Sequence, residues 1–128
     1  MSAVEPLAGS SGVARSVLRM VAGLWLALVV IGSLQPARPG VVRGVHREIH
    51  WVAFAGATLL LLLLSRTRAQ EILAAAGILL LGASLETLQH LIYSHPMEWL
   101  DIGDDAIAAL AAIMIYLGIS IWRARPGS

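Results

Sequence analysis

Four long apolar stretches alternate with short polar breaks along the chain. Residues 17–35, 45–64, 71–93 and 102–122 are each long enough for the helix of about 20 residues that crosses a bilayer core of roughly 30 Å. The breaks QPARPG, SRTRAQE and SHPMEWLD are polar or contain helix-breaking residues. Because the stretches are apolar on every helical face, they predict an all-α integral membrane four-helix bundle rather than a soluble helical protein.

The domain organisation follows from these stretches. We expect residues 1–14 to form a flexible tail and residues 15–125 to form a single four-transmembrane-helix domain. Arg15 and Arg19, which precede the first apolar stretch, also resemble the start of a signal peptide. Since no clear small-x-small cleavage site follows, we expect the first stretch to be a retained helix.

Composition supports the membrane assignment and excludes several functions. Hydrophobic residues make up 58% of the chain and charged residues 13%, which is too little charge to cover a water-soluble surface. The formal net charge is +1, so we expect no nucleic-acid partner. Cysteine is absent, which excludes disulfides, thiolate metal sites and cysteine nucleophiles.

The distribution of arginine predicts the orientation in the membrane. Short basic loops tend to remain in the cytoplasm, and the third break is acidic and has no basic residue. Both termini are therefore expected to be cytoplasmic, in a multi-pass protein of a bacterial cytoplasmic membrane. The cytoplasmic flanks would then hold Arg15, Arg19, Arg66, Arg68, Arg123 and Arg125, against Arg38, Arg43 and Arg47 outside.

Polar residues concentrate where the second helix begins, the third ends and the fourth begins. Alternating helices bring these three places together at the outer face. Helical spacing puts the polar residues of each segment on one face. The candidate ligand-binding cluster is Arg43, His46, Arg47, His50, Glu86, Gln89, His90, Asp101 and Asp105, with Asp104 on the same face as the other two aspartates. Asp101 is also the expected N-cap of the fourth helix.

Glu86 lies deepest in this cluster, about 12 Å below the outer end of its helix. A charge at that depth should face inward and find a partner, and Arg47 and His50 match it best in depth. The cluster could be an interhelical clamp or a polar pocket that opens outward. A clamp requires one or two pairs, whereas about ten polar side chains gather here, which favours a pocket.

The chemistry of the cluster leaves several alternatives open. His46 and His50 are four residues apart, but HREIH differs from the H-E-x-x-H zinc motif, so we expect no metal and treat a divalent ion as the less favoured use of these residues. No catalytic residue is identified, although an intramembrane enzyme could use Glu86 or Asp101 as an acid-base group or metal ligand. A transporter subunit is the third class, which the aliphatic run LLLLLL at 59–64 disfavours.

Three motifs together resemble the VanZ-like membrane protein family. REIHWVAF resembles the start of the second helix of that family, and the Glu-x-x-Gln of SLETLQH resembles its third-helix motif. WLDIGDDAIAALAAI resembles its aspartate-led fourth helix, with Ala108 and Ala112 where glycines are common. The resemblance covers residues 43 to about 118. It departs from the family in SHPMEWLD, where an arginine often precedes the aspartate.

The resemblance implies a role at the cell envelope. The family is named for a factor in resistance to the glycopeptide teicoplanin, and most of its members have no established reaction. We therefore expect a membrane protein that contacts the lipid bilayer and binds or modulates an envelope lipid or a lipid-linked wall component. The oligomeric state is left open.

Overall fold

The chain folds into four α-helices in the computed structural model, which describes residues 8–36, 43–94 and 96–124; the side chains of residues 8–11, 43 and 44 are outside this description. No strand occurs in these ranges, so the all-α prediction is confirmed. The helices are α1 (Ala8–Ser33), α2 (Arg43–Leu64), α3 (Arg68–Tyr93) and α4 (Trp99–Arg123).

Each predicted helix is present, but the ends differ from the prediction. Helix α1 already includes residues 8–14, which were expected to belong to a flexible tail. Helix α4 begins at Trp99 with Glu98 at its N-cap position, so the prediction of Asp101 as N-cap is wrong. Because α4 begins two residues earlier, Asp101 lies inside its first turn, and its carboxylate contacts His46 of α2.

The central contact of the fold is between α2 and α4, which are not neighbours in sequence. The two helices run parallel, because both the earlier and later residues of α2 meet the corresponding residues of α4 at a sequence separation of 55. Small side chains allow this close approach. The buried residues of the interface include Phe54, Ala57 and Thr58 of α2, and Ala108, Ala109 and Ala112 of α4.

The other two helices pack around this pair. Helix α1 contacts α2, where the indole Nε1 of Trp25 donates a hydrogen bond to the Ala53 carbonyl at 2.9 Å. Gly56 leaves room for that indole, since a Cβ added at Gly56 would lie 2.6 Å from the Trp25 ring. Helix α3 contacts both α2 and α4, and Gly82 brings its backbone against Asp105 and Phe54.

The outer surface of the bundle is suited to lipid. All four helices are long and apolar enough to cross a membrane. Large apolar side chains face outward along each of them, including Met20, Leu80 and Leu100. Because exposed apolar side chains of this number would be unfavourable in water, the chain has the character of a multi-pass membrane protein. The cytoplasmic location of the termini stays a prediction.

Candidate functional site

Three side-chain pairs connect α2 to α4 at the end of the bundle where α2 begins, α3 ends and α4 begins, here called the polar end. His46 Nε2 lies 3.1 Å from Asp101 Oδ2, and His50 Nδ1 lies 2.9 Å from Asp105 Oδ1. Between them, Arg47 contacts Asp104 through two bonds, Nε to Oδ2 at 2.8 Å and Nη2 to Oδ1 at 2.9 Å. We call these three pairs the charge ladder.

The dipole of α4 favours the outermost acid of the ladder. Both helices begin at the polar end, and the N-terminus of a helix carries partial positive charge. Asp101 in the first turn of α4 is therefore favourably placed. His46 and Arg47 near the start of α2 are not, and their pairing with the aspartates offsets this disadvantage.

Burial increases along the ladder from His46 to His50. The side chains of His46 and Arg47 are 56% and 65% exposed, whereas those of His50 and Asp105 are 10% and 4% exposed. The His50 ring also stacks on Phe54, with centroids 6.0 Å apart. The innermost pair is thus an enclosed contact of the helix interface, and the two outer pairs lie at its rim.

Glu86 does not join the ladder. It is 5% exposed, yet it makes no hydrogen bond or ion pair with any part of the chain that the structure describes. The prediction that Arg47 or His50 would pair with Glu86 is wrong, because these residues contact Asp104 and Asp105. Residues at the same depth in the membrane do not pair here, because the polar face of α2 is turned toward α4 rather than toward α3.

Glu86 instead lies beside two other acids. One carboxylate oxygen from each of Glu86, Glu98 and Asp101 lies within 4.8 Å of the others. We call these three residues the carboxylate triad. Ionised carboxylates this close repel one another unless a cation lies between them. The arrangement is therefore suited to a positively charged partner.

A second group of possible metal ligands shares Asp101. Donor atoms of His46, His50 and Asp101 also lie within 4.8 Å of one another. Each of these histidines already uses one ring nitrogen in the charge ladder. The rings of His46 and His50 contact each other as well, with centroids 4.7 Å apart.

The remaining predicted site residues have separate positions. Gln89 donates from Nε2 to the Ser33 carbonyl, so it attaches α3 to the end of α1 rather than lining the triad. His90 is exposed near the end of α3. Arg43 begins α2, and its side chain lies outside the described residues.

Two polar contacts were not among the predicted site residues. Asp104 contacts Arg47 at two points; its position on the same helical face as Asp101 and Asp105 was expected, but it was not counted among the candidate ligand-binding residues. At the other end of the bundle, the Tyr116 hydroxyl donates to Glu71 at 3.0 Å, which connects α4 to α3. A groove of about 400 Å³ opens near Tyr116, between α2 and α4.

Comparison of the chain with protein-family models, with curated proteins and with solved structures found no match in any of the three.

Proposed function

We propose that this chain is a multi-pass membrane protein of VanZ-like type that binds the headgroup of an envelope lipid, or of a lipid-linked wall component, at its polar end. On this proposal the polar end faces away from the cytoplasm. The observation that carries the proposal is the carboxylate of Glu86, which is buried beside Glu98 and Asp101 without a hydrogen-bond partner in the described chain.

A purely structural role would leave Glu86 unexplained. The charge ladder already joins α2 to α4, and buried polar side chains such as His50, Thr58 and Asp105 have partners within the bundle. No fully buried side-chain nitrogen or oxygen among the described residues lacks a hydrogen-bond partner, so the carboxylate of the otherwise buried Glu86 reaches the surface of the bundle. A polar residue that only stabilised helix packing would be expected to bond within the bundle instead. Glu86 is placed as a binding residue would be, with its partner supplied by a ligand.

The surroundings of the triad favour an amphiphilic ligand. Trp99 and Leu100, which lie between Glu98 and Asp101 in sequence, are 72% and 84% exposed. Leu91 and Ile92 near the end of α3 are also exposed. A lipid could therefore place its headgroup at the carboxylates while its acyl chains contact these apolar side chains.

Binding is supported better than catalysis or transport. The described residues of the polar end include paired acids and bases but no serine, threonine or tyrosine hydroxyl bonded to a ladder histidine, as nucleophilic catalysis would need. A transport path would need polar side chains through the bundle, whereas its centre is filled by Phe54, Ile78 and Ala108.

Native mass spectrometry of the protein released from mild detergent tests the proposal. We expect the wild-type chain to retain a lipid or lipid-linked molecule, and Glu86→Gln to lose it. Glu48→Gln is the matched control, since Glu48 is an exposed acid of the same end outside the triad. Equal retention by Glu86→Gln, or a wild-type protein without bound amphiphile after extraction from native membranes, would contradict the proposal.

A further inference from the structure

We propose that the carboxylate triad binds a divalent cation of the calcium and magnesium class, and that this cation holds the phosphate of the lipid headgroup. The cation site is argued from Glu86, Glu98 and Asp101 alone. The second half, concerning the phosphate, rests on the proposed function.

The geometry of the triad matches the coordination of such an ion. Calcium is bound by oxygen ligands at about 2.3–2.6 Å, so two ligands on opposite sides of the ion are separated by about 4.6–5.2 Å. The three carboxylate oxygens lie within 4.8 Å of one another. They could therefore contact one ion with little rearrangement of the helices.

The burial of Glu86 is an independent indication of a ligand. Clustered acids on a protein surface are common without any ion, but Glu86 is 95% buried, as its 5% exposure shows, and has no partner in the described chain. Its carboxylate points to the position where Glu98 and Asp101 converge. A cation there would contact the Glu86 carboxylate, which makes no hydrogen bond with the described residues.

The donor types decide the class of ion. An all-carboxylate site suits hard cations such as calcium, magnesium and manganese, whereas a site with imidazole suits zinc. The group of His46, His50 and Asp101 would be the zinc alternative, but both histidines already bond to aspartates of α4. His46 bonds to Oδ2 of Asp101 and would orient that ligand in the triad.

Three protein carboxylates leave coordination positions for another ligand. Calcium takes six to eight oxygen ligands and magnesium six, more than three monodentate carboxylates provide. Phosphate oxygens are favoured ligands for both ions. The cation would thus allow an acidic site to bind an anionic headgroup, which direct contact between phosphate and carboxylates would oppose.

Calorimetric titration of detergent-solubilised protein, first treated with chelator, tests the cation site with Ca²⁺, Mg²⁺, Mn²⁺ or Zn²⁺ salts alone. We expect one hard cation per chain, and affinity that falls about 10-fold to 100-fold or more in Glu86→Gln and in Asp101→Asn. Glu48→Gln should bind as the wild type does. Circular dichroism and thermal melting of each variant show whether it remains folded.

Several results would overturn the cation site. The first is that folded wild-type protein binds no hard cation. The second is that Glu86→Gln leaves binding unchanged. The third is a preference for Zn²⁺ that depends on His46 and not on Glu86. If Asp101→Asn is folded and Glu86→Gln is not, Asp101→Asn alone decides, and unchanged binding by it would equally refute the site.

Chelation separates this inference from the proposed function. If the cation holds the headgroup, treatment with chelator should release the copurified lipid, and adding Ca²⁺ or Mg²⁺ should restore its binding. Retention of lipid in chelator would refute the bridging cation but leave the proposed function standing. Cation binding without any copurified amphiphile would support the site and contradict the proposed function.

Discussion

Glu86 and Asp105 show that two buried carboxylates in one small bundle can have different roles. Asp105 is 3% exposed and contacts His50 at 2.9 Å, so its burial is compensated within the protein. Glu86 is 5% exposed and has no such contact in the described chain. Loss of the partner of Asp105 should therefore lower the stability of the bundle, whereas neutralising Glu86 should not.

His50→Ala is expected to destabilise the bundle strongly. It leaves Asp105 buried without its partner, and breaking a buried pair in this way typically costs about 3–5 kcal/mol. Arg47→Ala should have a much smaller effect, because the Arg47 side chain is 65% exposed and Asp104 can be hydrated in its absence. Thermal unfolding of both variants in the same detergent measures the difference. Equal decreases in unfolding temperature would show that the buried pair of the ladder contributes no more to stability than the exposed pair.

Glu86→Gln is expected to leave stability unchanged or to increase it in the absence of divalent cations. The substitution keeps the shape of the side chain and removes a buried charge that is close to Glu98 and Asp101. Thermal melting in chelator is the measurement. A loss of stability comparable with that of His50→Ala would indicate that Glu86 has a structural partner, and the binding role would then lose its main support.

The sequence predicted which residues gather at the polar end but not how they pair. The cost of charge in hydrocarbon places Glu86, His50 and Asp105 inside the bundle, whatever the packing. Which acid meets which base depends on the rotation of each helix about its axis, and that is set by side-chain packing. Gly82 and Ala108 decide it here, because their small size brings α3 and α2 against α4.

At the scale of helices, the main contact is between two segments that are not consecutive. Hydropathy and breaks predict four helices, and short connections suggest that neighbours in sequence pack together. That rule does not predict the pairing of α2 with α4, because α3 lies between them in sequence. Its signal in the sequence is the match between the histidines at 46 and 50 and the aspartates at 101 and 105, since both pairs are four residues apart.

Gly82→Ala is expected to disturb the contact of α3 with α4. The added Cβ would lie 2.9 Å from Oδ2 of Asp105 and 3.2 Å from a ring carbon of Phe54, so Asp105 or the helix that carries it must shift. Overpacking of this kind costs about 1–3 kcal/mol.

Gly77→Ala on the same helix provides the matched control for that substitution. A Cβ at Gly77 has nothing within 4 Å, so alanine should be neutral or stabilising by up to about 1 kcal/mol. Comparing the two unfolding temperatures separates the close contact from the general effect of alanine in a helix. If both variants are equally stable, the approach of α3 to Asp105 is not as close as described.

At the scale of the whole molecule, the two ends of the bundle differ in chemistry. The polar end holds the charge ladder and the carboxylate triad, whereas the break between α2 and α3 at the opposite end holds Arg66 and Arg68. Arginines near short loops tend to remain in the cytoplasm. This asymmetry favours an orientation in which the triad meets the outside.

Site-directed labelling tests this orientation, since the chain has no cysteine of its own. Met97→Cys, in the connection between α3 and α4, should react with a membrane-impermeant maleimide added to intact cells. Ala69→Cys, exposed in the first turn of α3 at the opposite end, should react only after the membrane is permeabilised.

The reverse pattern would have a definite consequence for function. Labelling of Ala69→Cys in intact cells and protection of Met97→Cys would place the triad at the cytoplasmic surface. The geometry of the cation site would be unaffected, because it depends only on contacts within the bundle. Its ligand would then have to come from the inner leaflet or the cytoplasm, and an envelope component outside the membrane would no longer be a candidate.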